Sequence, residues 1–172
     1  MKPNDEKIVI VDKNNKVTGW SWRSHMRERR LIHRATFIIV FNDADQLFVQ
    51  KRTLSKDIYP GYYDLTAGGV VQVDEAVEVS ARRELEEELG IVKDSLDFLF
   101  EFFYESPENN VWGSVYQCIF NGCPVLQKEE IDFGQFQSLE DVDALIRNEP
   151  VTPESVYLFN RYKKIIRTRG VK

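Results

Sequence analysis

Three carboxylates, Glu84, Glu87 and Glu88, crowd the end of a helical stretch that stops at Gly90. Carboxylates at a helix C-terminus face the negative pole of its dipole and repel one another, so a chain shaped only for stability would carry Lys or Arg there. At about 100° per residue the three fall within roughly 100° of arc on one side of the helix. Ala81, Leu85 and Leu89 line the adjoining apolar stripe. The cluster makes chemical sense if it binds a divalent cation. Its all-oxygen donors suit Mg²⁺, with Mn²⁺ as a second option, better than zinc. The bland alternative is a solvated acidic helix laced with i to i+4 pairs such as Glu78 with Arg82.

The elements that must hold these residues can be read from periodicity and punctuation. Residues 8–11 and 17–20 read as two short strands around the turn chemistry of Asp12-Lys13-Asn14-Asn15, a candidate hairpin. Ser24 is placed to cap a short helix running to Arg30. Residues 35–41 and 47–49 read as strands joined by Asn42-Asp43-Ala44-Asp45. A loop containing Pro60-Gly61 covers residues 55–63, and residues 65–71 lead into the acidic helix over 75–89. Strands are expected at 98–104 and 111–120. A helix over 139–147 with Ser138 as its cap follows, and Thr152-Pro153-Glu154 opens a last helix to Arg167, with Pro in the favourable first turn. Strands interspersed with helices indicate an α/β layered fold. No repeat, low-complexity tract or linker breaks the chain, so one domain over 1–172 is expected.

Composition narrows the partners. The net charge of −5 argues against binding a nucleic-acid polymer, which leaves a basic footprint. Basic residues do cluster at Arg23, Arg27, Arg29, Arg30 and Arg34, and again at Lys163, Lys164, Arg167, Arg169 and Lys172, the latter read as a solvated helix end. No apolar run reaches membrane-spanning length, and no secretory-type segment follows the charged start. Cys118 and Cys123 lack zinc-type pairing and are expected as buried or half-buried thiols, which suits a cytoplasmic location. The oligomeric state is open, with a homodimer among the options.

Residues 69–91, GVVQVDEAVEVSARRELEEELGI, resemble the Nudix box, GX5EX7REUXEEXGU with U aliphatic. Gly69, Glu75, Arg83, Glu84, Leu85, Glu87, Glu88, Gly90 and Ile91 fill every fixed position. The resemblance implies a Nudix fold, a mixed β-sheet sandwiched between α-helices with the box as a loop-helix-loop. It implies a Mg²⁺-dependent hydrolase acting on the diphosphate bond of a nucleoside diphosphate derivative or a related small organic diphosphate. In that scheme Glu87 and Glu88 are direct metal ligands, Glu84 is a ligand or the general base, and Arg83 orients a glutamate, with Glu75 as its partner. The Gly68 carbonyl is a further candidate ligand, and Glu129 or Glu130 an outlying carboxylate.

The likeness extends upstream. VDKNNKVTG, His33-Arg34-Ala35, LFVQKRTLSK and YPGYYDLTAGG resemble the isopentenyl-diphosphate isomerase subgroup, and resemble the bacterial YfcD-type Nudix hydrolases more closely. Arg52 and Lys56 match basic residues that hold the diphosphate in the isomerase group, one as a bidentate fork and one as a point charge. The isomerase cysteine is absent, with Gly68 in its place. Its glutamates are absent from Val111-Trp112-Gly113-Ser114-Val115. His25 and His33 match two of its three histidine ligands, but Val70 stands at the third. Double-bond isomerisation therefore lacks its acid, its base and a complete metal site, and the histidines read as structural hydrogen-bonders. A Nudix-fold binding module without catalysis is the other alternative, and the intact carboxylates of the box speak against it. The aromatic residues Trp20, Trp22, Tyr62, Tyr63, Phe102, Phe103 and Trp112 offer a base-stacking platform or a core.

Overall fold

The computed structural model describes residues 5–168. Arg169 and Lys172 of the basic C-terminal cluster lie outside the described residues. In chain order the elements are β1 (Lys7–Val11), β2 (Val17–Trp22), α1 (Arg23–Arg29), β3 (His33–Phe41), β4 (Leu47–Arg52), β5 (Tyr63–Asp64), α2 (Val77–Leu89), β6 (Asp97–Glu105), β7 (Asn110–Ile119), β8 (Ile131–Gln137), α3 (Leu139–Asn148) and α4 (Pro153–Thr168). They pack as two compact units interleaved along the chain. Of the described residues, one comprises Asp5–Ile38, Gly68–Glu87 and Ile91–Gln117; the other comprises Ile39–Ala67, Glu88–Gly90 and Cys118–Thr168.

In the first unit β1 and β2 form the expected antiparallel hairpin. Its turn is set by Asp12, whose Oδ1 accepts from the Asn14 and Lys16 amides at 2.8 and 2.9 Å, while Asn15 takes a left-handed φ of 60°. Ser24 does not cap α1. The helix begins two residues earlier, at Arg23 behind Trp22, and the Asp5 carboxylate accepts from the Ser24 amide and hydroxyl at 3.0 and 2.5 Å. A carboxylate satisfies an orphan helix amide better than a hydroxyl already inside the first turn. Ile8, Met26 and Val70 form a buried cluster beneath this hairpin. β6 and β7 pair antiparallel with a slip between Phe98 and Phe100, and β7 also pairs with β3.

In the second unit the end of β3 meets β4 at Phe41↔Leu47, across a turn held by Asn42 Oδ1 accepting from the Ala44 and Gln46 amides, both at 3.0 Å. β4 then pairs with β5 at Gln50↔Asp64 and Lys51↔Tyr63 and with β8 from Leu47↔Gln137 to Arg52↔Ile131. β8 lies in a stretch where periodicity points to no element. Gly134 sits in the middle of it and weakens the strand pattern, yet glycine is required, because a Cβ there would lie 2.5 Å from the Phe48 ring. Ser138 caps α3 as expected, its Oγ accepting from the Asp141 amide at 3.1 Å. α4 buries Leu158 and Phe159 and stacks Tyr162 on Phe41 with ring centroids 5.6 Å apart.

The pairs β1–β2, β1–β3, β3–β4, β4–β5, β4–β8 and β6–β7 are antiparallel, and the bridge Tyr63↔Val151 is parallel, so β structure is mixed and, with the four helices of the described residues, the class is α/β. Among the described residues no helix is long and apolar enough to cross a membrane. Neither cysteine is in a disulfide; Cys118 is buried, but Cys123 is exposed in the loop after β7, a correction to the buried or half-buried thiol expected there.

Candidate active site

The carboxylate helix is anchored at its entrance by two glycines with different duties. Gly68 has φ +144°, and a Cβ on it would stand 2.0 Å from the Thr36 carbonyl oxygen. Gly69 carries its carbonyl to the Thr36 amide at 2.8 Å, and a Cβ on it would stand 2.5 Å from the Glu84 carboxylate. The missing side chain at Gly69 is the space that Glu84 fills. The helix starts at Val77 and not at Glu75. Asp74 takes a left-handed φ of 62°, which turns the chain, and Glu75 folds back so that its Oε2 accepts from the Gln72 amide at 3.3 Å. Glu75 is thereby released from the helix to meet Arg83.

Arg83 is the hub of the site. Its Nε and Nη2 donate to the two oxygens of Glu75 at 2.7 and 3.1 Å, a forked pair that a planar guanidinium forms well. Its Nη1 donates to Glu84 at 2.8 Å and Glu87 at 3.1 Å. Burial favours a protonated Glu75, but the Arg83 fork and the Gln72 amide outweigh it and hold this carboxyl below its ordinary range. Hydrogen bonding to Glu75 likewise raises the Arg83 pKa, against the pull of burial. One fixed cation thus offsets the repulsion that three neighbouring glutamates would otherwise suffer.

Gly90 closes α2 in the left-handed conformation, with φ 64°, as a C-terminal glycine does. Beyond it the Gln127 amide donates to the Glu88 carbonyl at 3.0 Å and the Val125 amide to the Leu89 carbonyl at 2.8 Å. These bonds satisfy carbonyls at the negative helix end, next to Glu88, a carboxylate only 4% exposed.

Among the described residues no three His, Cys, Asp or Glu side chains gather into a metal-binding group. Arg83 Nη1 takes one oxygen from each of Glu84 and Glu87 instead. The donor chemistry still fits a hard divalent cation: oxygen only, three carboxylates at i, i+3 and i+4 on one helix, one of them buried.

The second unit holds Arg52 and Lys56, both tied to carboxylates. Arg52 Nη1 donates to Asp64 at 3.4 Å and Nη2 to the Ile58 carbonyl at 3.1 Å. Lys56 is paired with Glu130, which gives that outlying glutamate a definite partner. Asp64 is a member of this polar group that the sequence reading missed. Burial pushes its pKa up, while Arg52 and the Thr66 hydrogen bonds pull the other way. Gln50, 3% exposed, is a second omission: its Nε2 donates to the Thr66 carbonyl at 3.0 Å. The signal available in the sequence was Gln50 and Arg52 at alternate positions of one strand, which places them on one face.

The histidines part company. His33 is buried, with Nδ1 3.0 Å from the Leu31 carbonyl, as a structural hydrogen-bonder is. His25 is half exposed and lies 4.0 Å from Glu28 one helical turn on. Val70, at the position of the third isomerase histidine, packs against Ile8 and Met26.

This entrance loop, helix and carboxylate set belong to a known design. The NUDIX domain description matches residues 31–159, and the chain belongs to the Nudix hydrolase family, enzymes of phosphorus-containing acid anhydrides. It is 43% identical over 157 residues to a Nudix hydrolase of Pseudomonas aeruginosa, covering 91% of this chain and 93% of that one. It is 40% identical over 151 residues to the Nudix hydrolase YfcD of Escherichia coli, covering 88% and 83%. Among solved structures, a Deinococcus radiodurans protein superposes with a TM-score of 0.78 at 27% identity, over 91% of this chain and 98% of that one. The α/β Nudix fold and the YfcD-type resemblance read from the sequence both stand.

Proposed function

We propose that residues 1–172 form one cytoplasmic catalytic domain, a monomer or homodimer, that hydrolyses the diphosphate bond of a nucleoside diphosphate derivative or a related small organic diphosphate with Mg²⁺, Mn²⁺ being able to replace it. The observation that carries this reading is the Arg83 hub, which ties Glu84 and Glu87 of the box helix and Glu75 of the loop before it into one hydrogen-bonded group. Glu84, Glu87 and Glu88 would hold the metal. Bound there, it would polarise phosphoryl oxygens and lower the pKa of a coordinated water.

The chain's own residues do the rest of the work. Glu84 either completes the ligand set or takes the proton from the attacking water as its oxygen bonds to phosphorus and the bridging P–O bond breaks. Arg83 fixes the carboxylates so that none must reorganise during that step. Glu87, the most exposed of the set, would give up its bond to Arg83 to hold the cation before that step begins. Arg52 and Lys56 bind phosphate oxygens, the first through its fork and the second as a point charge.

Release of phosphate or of a phosphomonoester from nucleoside triphosphates, nucleotide sugars, coenzymes and prenyl diphosphates, measured with and without Mg²⁺ beside Glu88→Gln, tests the proposal. Turnover of at least one compound, lost in the variant and without metal, is the expected result. Near-full Mg²⁺-dependent turnover by Glu88→Gln would remove the metal assignment. Silence across the panel would favour a binding module.

A further inference from the structure

In the second unit one continuous hydrogen-bonded chain runs Gln50–Thr66–Asp64–Arg52. Gln50 Nε2 donates to the Thr66 carbonyl, the Thr66 amide and hydroxyl donate to Asp64 Oδ1 at 3.2 and 3.1 Å, and Arg52 Nη1 donates to Asp64 Oδ2. Gln50 and Arg52 alternate along β4, and Asp64 is the cross-strand neighbour of Gln50. The two ends of this chain are unfinished. Among the described residues, Gln50 Oε1 and Arg52 Nε are buried polar atoms without a hydrogen-bonding partner. Buried polar groups are nearly always satisfied, and an orphaned one is costly. Here an acceptor and a donor are both left open on one strand face.

The Gln50 amide cannot simply turn over to find relief. Its nitrogen already serves the Thr66 carbonyl, so exchanging the two atoms would set oxygen against oxygen. Oε1 is therefore held as an acceptor and needs an N–H or O–H donor. Ionised phosphate oxygens only accept, so a phosphate at Arg52 answers Nε and leaves Gln50 unanswered. An alkyl or prenyl chain has no donor either.

We infer that Gln50 is a specificity-determining residue, its Oε1 accepting from a hydroxyl of the substrate's organic half next to the phosphate held by Arg52. The substrate class is then a diphosphate ester rich in hydroxyls, such as a nucleotide sugar, and not a prenyl diphosphate. The inference rests on the placement of Arg52 at a substrate phosphate. The bond from Arg52 Nη2 to the Ile58 carbonyl is the contact that an entering phosphate would replace.

The test compares ADP-ribose with isopentenyl diphosphate, two diphosphates that differ in hydroxyl donors. Dissociation constants are measured calorimetrically in a Glu88→Gln background, so that turnover does not intrude, with Gln50 intact, Gln50→Leu and the shape-preserving Gln50→Met. Melting curves establish that each variant folds. Loss of the acceptor should weaken ADP-ribose by about tenfold or more and isopentenyl diphosphate by less than about twofold. Equal weakening of both compounds, or no change in either, would mean that no substrate hydroxyl reaches Gln50, and the inference falls; binding of neither compound with Gln50 intact would remove the phosphate site at Arg52 and the inference with it. Hydrolysis by the unmutated protein is scored separately. Discriminating binding without any turnover would sink the hydrolase reading and leave Gln50 in its role.

Discussion

Arg83 shares one guanidinium among Glu75, Glu84 and Glu87, and two consequences can be measured at that single residue. Arg83→Lys retains the charge but not the fork, so at most part of the group stays in place. Turnover or Mg²⁺ affinity should fall by roughly 10- to 100-fold, the usual range when a partner behind the ligands is lost. Steady-state rates across a Mg²⁺ titration check this. Glu75 supplies the pH dependence. Its folded pKa lies below the ordinary value of 4.5, so its contribution to stability is complete above that value and is lost as pH falls through the folded pKa. Between pH 6 and pH 3 the melting midpoint of the native protein should therefore drop further than that of Glu75→Gln. Equal drops would show that the fork is not a stabilising pair. At this scale the sequence was informative where spacing carries meaning: the box positions name Arg83 and its carboxylates. It was silent on Asp64, whose partner Arg52 lies twelve residues away and is brought to it only by strand pairing.

Two adjacent glycines separate the roles of the strand approach and the helix. Gly68→Ala meets both a left-handed backbone and the carbonyl of Thr36, neither of which can yield, and should cost more than about 3 kcal/mol or prevent folding. Gly69→Ala meets only the end of the Glu84 side chain, which can swing aside. Stability should change by less than about 1 kcal/mol while Mg²⁺-dependent turnover falls sharply, because Glu84 has left its place. Chemical denaturation and initial rates on the two variants separate these outcomes. Most elements were legible from alternation, caps and turn residues: the β1–β2 hairpin, the Ser138 cap and the Gly90 stop all follow local rules. The failures were places where tertiary partners override them. Asp5 displaced Ser24 as the group serving the start of α1, Asp74 took the first two residues from α2, and the Phe48 ring imposed Gly134 on β8.

For the molecule as a whole, cation binding should appear as stability. A ligand at a hundred times its dissociation constant adds about 2.7 kcal/mol, which for a chain of this size is a rise of roughly 5–10 °C in the melting midpoint. Mg²⁺ should produce that rise in the native protein and little of it in Glu88→Gln; equal rises would locate the cation elsewhere. The hairpin of the first unit offers an independent view of the same transition. Trp20 and Trp22 stand edge to face, with centroids 5.5 Å apart and planes at 86°, and the Lys7 ammonium lies 4.7 and 5.5 Å from the two ring centres. Two indole chromophores at that separation couple their excited states, and a nearby positive charge shifts their absorption. The far-ultraviolet circular dichroism of this protein should therefore carry a paired signal of opposite sign in the strong indole band from one known spot, by which the opening of strands β1 and β2 can be followed.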